Sequence, residues 1–545
     1  MCGIWALLEY QPKLSNKIIN SYNNIKNRGP DSSSLHVDKN YIIGFHRLAI
    51  NDLSVCGNQP FYLSNEDYNY ILVINGEIYN YKELINVYEI KINSASDCAF
   101  ILPLFIKLNE DFKLLNNLLR GEYSMLLLKQ NKNNMELEYF MSTDPLSVRP
   151  LFYYISNYKI GISSLLNGLS DYSNNVNRLN QGTYLYGITN FTNFHNYNSN
   201  KYYNTNLEYF DNNNITRYNI YEYIVKILTE SINIRLNSER PLGCLLSGGL
   251  DSSLIAAIAA KELFKSGKKL KTFSIGMENG SDLKYARIVS KYIDSEHTEF
   301  YFTAEDGINV IDDVIKATET YDITTIRASV GQYILAKKIA ENTNIKVLLN
   351  GDGADECQMG YLYFYLFPNL LEAIKERNKL LDQIHLFDGL RVDRNISYHG
   401  LEARVPFLDK EFVDLYRKIP PNMLVPTKER MEKYLIRDAF EVLNPNLLPK
   451  EILWRKKEAF SDGVSSNENS WFQILKTHFN NLISDEEFKN NTITNTKPLC
   501  KESFYYRKKF NELFGENHHI IPRYWMPNWT STNDPSARTL DIYNC

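Results

Sequence analysis

Leu245-Leu246-Ser247-Gly248-Gly249-Leu250-Asp251-Ser252-Ser253 is the stretch on which the reading of this chain turns. The apolar run 242–246 leading into it predicts a buried strand. Residues 251–265 after it predict a helix, with Leu254, Ile255, Ile258 and Leu263 on its apolar side and Gly267 just past its end. Glycines at a strand-to-helix turn let successive backbone N–H groups converge, and the helix N-terminus adds positive potential. Such a turn suits an anion, phosphate above all. It is not a Walker A loop, because GxxxxGK[ST] is absent. The structural alternative is a glycine-rich turn with a Ser or Asp helix cap.

Further along, 271–276 predicts a second strand, 282–293 a helix and 345–349 a third strand, which runs into Asn350-Gly351-Asp352-Gly353-Ala354-Asp355-Glu356. Strands that alternate with helices and end in Gly/Asp-rich loops imply a parallel sheet with ligands at the strand C-termini.

With 545 residues the chain exceeds a single hydrophobic core, so two or more domains are expected. The composition, 44% hydrophobic and 23% charged, is that of a soluble globular protein. A net charge of −4 gives no reason to expect nucleic acid or an anionic membrane as partner. No apolar run approaches the roughly 20 residues of a membrane span. The N-terminus lacks a signal-peptide pattern. Seven scattered cysteines without a CxxC pair point to free thiols in a reducing compartment, with cytoplasm as the expected location.

Cys2 would expose a thiol and a free α-amino group on one residue once Met1 is removed, and the neutral amine could accept the thiol proton. A buried, inert cysteine is the alternative. Downstream come the turn Arg28-Gly29-Pro30-Asp31, a strand expected over 41–50 that carries Arg47, and an apolar strand 71–74 ending in Asn75-Gly76-Glu77-Ile78-Tyr79-Asn80. Ser96-Asp97-Cys98 follows. Residues 190–219, rich in Asn and Tyr and without periodicity, read as the connection, which divides the chain into 1–205 and 206–545.

Cys2-Gly3-Ile4, RGPD, HRLAI, NGEIYN and SDC, in this order, resemble the glutaminase domain of class II glutamine amidotransferases over roughly residues 2–190. The resemblance implies an α+β N-terminal-nucleophile fold, an αββα sandwich. It also implies roles. Cys2 attacks the glutamine amide, and the Asn75 side chain and Gly76 N–H receive the oxyanion. Arg47 captures the substrate α-carboxylate, with Leu48, Ala49, Ile50 and Asn51 around it, while Asp97 and Glu77 hold the α-ammonium.

SGGLDSS resembles the pyrophosphate loop of ATP pyrophosphatases. That likeness implies an α/β parallel-sheet domain with additional helices, binding ATP through Leu245, Ser247, Gly248, Gly249, Asp251, Ser252, Ile275, Asn350 and Gly351. Mg2+ would sit on Asp251 and Asp355. Glu319 to Arg327 (ETYDITTIR), Gly400 to Asp409 (GLEARVPFLD), Trp454 to Glu458 with Phe460-Ser461-Asp462-Gly463, and Asp534 to Arg538 (DPSAR) extend the resemblance over the whole chain, to the glutamine-hydrolysing asparagine synthetases. The expected substrates are glutamine, aspartate and ATP. Aspartate would be held by Thr324, Arg327, Glu402 and Arg404, and Lys457 would neutralise charge on the α-phosphate. Dimers are common in that family, so the resemblance allows a homodimer.

One departure bears on catalysis: the family writes SGEGSDE where this chain has NGDGADE, so Asp352 replaces a catalytic glutamate with a carboxylate shorter by about 1.5 Å. Two alternatives remain at this point: an amide-forming ATP pyrophosphatase with another carboxylate acceptor, such as a cyclising β-lactam synthetase, and a synthetase-like sensor with an impaired second site.

Overall fold

The computed structural model describes residues 1–9, 11–134, 136–191, 194, 197–211, 215–278, 280–458, 463–465, 470–532 and 534–536. Phe460, Ser461, Asp462, Ala537 and Arg538, named above, lie outside them.

Two six-stranded antiparallel sheets fill the first part of the chain. One runs in the order Asn177–Arg178, Phe152–Ile155, Lys159–Ser163, Gly3–Glu9, Tyr41–Arg47, Ser32–Val37. The other runs Tyr197–Lys201, Thr183–Thr189, Leu137–Thr143, Gly121–Asn131, Tyr68–Ile78, Phe61–Ser64. Side chains alternate across a strand, and here both faces of the central strands are covered. Ile4, Ala6 and Leu8 meet Ile71 and Val73 between the sheets. Trp5 and Leu7 turn outward onto Ile18 and Tyr22 of the helix Asn16–Asn23. Tyr70, Leu72 and Ile74 turn the other way, onto the helices Ile101–Lys107 and Phe112–Leu118. The layers are therefore helix, sheet, sheet, helix, as expected. Burial on both faces explains why these strands read as unbroken apolar runs.

The stretch 190–219 departs from expectation, because it contains the strand Tyr197–Lys201 and the start of the helix Arg217–Ile234. Among the described residues that strand pairs only with Thr183–Thr189, and every residue in it is exposed. An edge strand with no buried face leaves no apolar alternation to read.

The second part is built on a five-stranded sheet in the order Glu296–Tyr301, Lys271–Gly276, Leu242–Leu245, Val347–Leu349, Glu402–Arg404, with every pairing parallel. Helices Leu250–Phe264, Ser281–Tyr292 and Ile323–Asn342 pack around it. No helix among the described residues is long and apolar enough to cross a membrane.

The two parts meet through buried ion pairs: Arg28 with Asp393 at 2.7 Å, Arg235 with Glu122 at 2.9 Å, and Arg404 with Glu77 at 3.4 Å. Removing one partner of such a pair leaves an uncompensated buried charge and costs about 3–5 kcal/mol. The seam therefore fixes the relative placement of the two sites.

Two candidate active sites in one chain

The first site forms where the two antiparallel sheets face each other. Cys2 precedes the strand Gly3–Glu9, whereas Asn75, Gly76 and Glu77 lie on Tyr68–Ile78 of the other sheet. The Cys2 N–H donates to Asn75 Oδ1 at 2.8 Å, so the Asn75 amide is oriented by the Cys2 backbone. Asn75 Nδ2 is fully buried and has no hydrogen-bond partner. A buried idle donor is costly unless something uses it, and an oxyanion is such a user. At Gly76, φ is 154° and a Cβ would sit 2.1 Å from the Glu122 carbonyl oxygen, so only glycine fits.

Around this centre Asp97 accepts from the Ile78 N–H at 2.7 Å, and Glu77 accepts from Asn51 Nδ2 at 2.5 Å. Burial pushes the Asp97 carboxyl up to about 6, against the Ile78 N–H bond that favours its anion. Burial, with Asp97 and Glu402 beside it, pushes Glu77 well above the usual carboxylate range. Leu48 offers its carbonyl to the Cys2 thiol at 3.7 Å. Ala49 N–H donates to Asp31 at 2.9 Å, and Ile50 packs with Leu48 on Val347 of the second part. Arg47 is turned into the loop that follows it: its guanidinium donates to the Ser54 carbonyl and Asn58 Oδ1, both at 2.8 Å, and to the Asn51 and Asp52 carbonyls. Its fork braces that loop.

Met1 is buried. Its ammonium donates to the Leu401 carbonyl at 3.4 Å, and burial brings its pKa down to about 6. The Cys2 thiol is raised, chiefly by burial. Only removal of Met1 transfers the terminal amine to Cys2.

The second site is a cleft at the C-terminal ends of Leu242–Leu245, Lys271–Gly276 and Val347–Leu349. Leu245, Ser247, Gly249, Asp251, Ser252, Ile275, Asn350 and Gly351 line it. Gly248 stands behind the lining with φ 73°, where a Cβ would come within 2.4 Å of the Tyr285 backbone. The helix Leu250–Phe264 starts on Gly249 with no side chain capping it, so the loop is not merely a capped turn.

Asp251 and Asp355 converge on the same ammonium, Lys433 Nζ, at 2.5 and 2.6 Å, and Lys457 Nζ reaches Asp355 from the other side. Burial alone would raise Asp355, but the two lysines hold it well below the usual carboxylate range. Lys457 is correspondingly raised against the effect of burial. Asp251 Oδ1 is buried without a hydrogen-bond partner, a hard oxygen donor left free. Two carboxylates with one idle oxygen fit Mg2+, which binds through one or two carboxylates and completes its shell with phosphate and water.

Deeper in the cleft Asp352 pairs with Arg391 at 2.5 Å, and Arg391 also pairs with Asp388 at 2.8 Å. Tyr361 OH lies between two carboxyl groups, 2.6 Å from Asp388 and 2.7 Å from Glu356. Burial and the adjacent Asp388 push the Glu356 carboxyl well up, while Arg391 holds Asp388 down against the effect of burial. Thr324 lines this end.

Three residues expected at the acceptor lie elsewhere. Arg327 sits among the buried residues of the helix Ile323–Asn342 and is spent on Glu502 at 2.7 and 2.8 Å and Asp534 at 2.8 and 3.0 Å. Glu402 and Arg404 occupy the edge strand of the parallel sheet, pair with each other at 2.8 Å, and turn to Glu77 and the Met1 ammonium of the first site. The edge strand's outer face is the domain seam, not the cleft. Conversely, Lys433, Arg391, Asp388, Glu356 and Tyr361 were not singled out from sequence. Nothing in the sequence marks them; the φ of 57° at Lys433, at a helix start, is a feature of the fold.

A cysteine at the head of an αββα sandwich, fused to a parallel sheet with a phosphate-type loop, defines a two-domain amidotransferase-synthetase. The family model for a glutamine amidotransferase domain matches residues 1–219, and that for asparagine synthase matches 224–382 and 373–537. A probable glutamine-hydrolysing asparagine synthetase from Acanthamoeba polyphaga mimivirus is 39% identical over 99% of this chain and 100% of its own. The glutamine-hydrolysing asparagine synthetases of Bos taurus and Homo sapiens are 38% and 37% identical, each over 100% of this chain and 99% of theirs. The chain belongs to the asparagine synthase family.

Proposed function

We propose that the protein makes asparagine from aspartate, ATP and glutamine, releasing AMP, pyrophosphate and glutamate. The observation carrying this reading is the idle, buried Asn75 Nδ2 beside Cys2, in a chain that also holds the Asp251–Lys433–Asp355–Lys457 cluster. In the processed chain the Cys2 amine takes the thiol proton and the thiolate attacks the glutamine side-chain amide. Asn75 Nδ2 and the Gly76 N–H receive the oxyanion, and Asp97, ionised above about 6, holds the substrate ammonium.

In the cleft, the Ser247–Ser252 loop takes the phosphates and Leu245 and Ile275 flank the base. Asp251 and Asp355 would hold Mg2+, which when bound neutralises phosphate charge. Lys457 is placed against the α-phosphate as aspartate's side-chain carboxylate attacks it and pyrophosphate leaves. Activation is needed because a carboxylate is a poor electrophile. Asp388, kept acidic by Arg391, suits the ammonium of aspartate. Ammonia released at Cys2 passes inside the protein to the acyl adenylate and displaces AMP. The reading is of a cytoplasmic enzyme, with a homodimer as its assembly.

A product assay with MgATP, aspartate and glutamine tests it, with an ammonium-for-glutamine arm and an arm lacking aspartate. Stoichiometric AMP, pyrophosphate and asparagine are expected. Glutamate release without AMP or asparagine would sink the synthetase half.

A further inference from the structure

Asp352 is short for its place, and the structure supplies what reaches it. The helix Asp388–Ser397 presents Arg391 and Asn395 four residues apart, hence on one face. Arg391 meets one Asp352 oxygen directly at 2.5 Å. The other oxygen is met from a different helix, Ile323–Asn342, by Gln332 Nε2 at 3.4 Å. Gln332 Oε1 in turn accepts from Asn395 Nδ2 at 3.2 Å, and Asn395 is fully buried. An amide whose oxygen is taken by a donor must turn its NH2 the other way. Asn395 therefore fixes Gln332 with its donor face toward Asp352. Both oxygens of the carboxylate are pinned, one by charge and one by an oriented amide.

We infer that Gln332, oriented by Asn395, is a positioning residue for Asp352, holding a carboxylate shortened by one carbon at the angle the acyl-transfer chemistry requires. The inference rests on the reading that this cleft forms and aminolyses the aspartyl adenylate. A glutamate at 352 would reach about 1.5 Å further and would not need the amide. The dependence on Gln332 is thus specific to aspartate at this position.

The test is a double-mutant cycle on the full-length enzyme with Gln332→Met, Asp352→Glu and the double variant, assayed for ammonium-dependent synthesis. Methionine keeps length and helix preference, so the fold is retained, and glutamine hydrolysis at the other site reports folding. With aspartate at 352, Gln332→Met is expected to lower kcat about tenfold, the low end for a hydrogen bond to a charged group, with KM for ATP unchanged. With glutamate at 352 the same change is expected to cost less than about twofold. Equal losses in the two backgrounds, or a kcat within about twofold of wild type for Gln332→Met, would overturn the inference. Wild-type enzyme that forms no AMP with aspartate would instead remove the function reading on which it stands. Asn395→Leu provides the second arm: it frees the Gln332 amide to turn and is expected to reproduce the Gln332→Met loss only with aspartate at 352. A loss of the same size with glutamate there would count against orientation by Asn395.

Discussion

Lys433→Met separates charge from shape in the second site, because methionine keeps most of the stem and removes the ammonium. Lys433 is 3% exposed and stands 2.5 Å from Asp251 and 2.6 Å from Asp355, so its loss leaves Asp251 without its ion-pair partner and Asp355 with Lys457. Breaking a buried pair costs about 3–5 kcal/mol. Lys457 stays on Asp355, which puts the expected loss near the lower end, about 3 kcal/mol. At about 2 °C per kcal/mol for a large domain, the melting temperature in EDTA should fall by about 6 °C.

The pH dependence has a definite sign. Asp355 is held below its unfolded value of about 3.9, so the stability it contributes is full at neutral pH and is lost as pH falls through the folded value. The gap between wild type and variant should therefore be widest near neutrality and close in acid. Mg2+ supplies charge where the ammonium was, so it should raise the variant's melting temperature more than that of wild type. Calorimetry at neutral and acidic pH, with and without Mg2+, measures all three. A variant that melts within about 1 °C of wild type in EDTA at pH 7 would refute the assignment of Lys433 as the counter-charge of both aspartates.

Cys2→Ala is expected to abolish glutamine-driven synthesis while ammonium-driven synthesis persists; loss of both in a folded variant would contradict separate sites. The kcat/KM for glutamine should fall about tenfold per pH unit below about 6, as the raised Asp97 carboxyl takes up a proton and loses its hold on the substrate ammonium. Ammonium-driven synthesis should lack that limb, and an identical acid limb in both would place the titration elsewhere. Arg404→Met should lower kcat/KM for glutamine and leave KM for aspartate within about twofold, since Arg404 faces Glu77 across the seam. A large rise in the aspartate KM would return Arg404 to the acceptor site.

What was legible in the sequence was what backbone geometry enforces. Gly76 and Gly248 mark places where a Cβ would strike a neighbouring backbone, so the loops they sit in announce themselves. The strands with both faces covered announce themselves too, as apolar runs. Arg391, Gln332 and Lys433 carry no such mark: they are long polar side chains on or beside helices, and which of many such residues points into a cleft depends on how helices pack.

Glu402 and Arg404 show the same limit from the other side. Spaced two apart on a strand, they necessarily share a face, with Ala403 on the opposite one. The sequence therefore fixes that they act together, and their 2.8 Å pairing bears this out. Which way the shared face points follows from the strand's position at the sheet edge beside Val347–Leu349, where the neighbour on that side is the first domain. A motif at the ligand-bearing edge of a parallel sheet is naturally read toward the ligand. Here its charged face meets the Met1 ammonium, Glu77 and Arg149 instead, and the same two residues that looked like substrate ligands become the electrostatic link between the site that would release ammonia and the domain that would consume it.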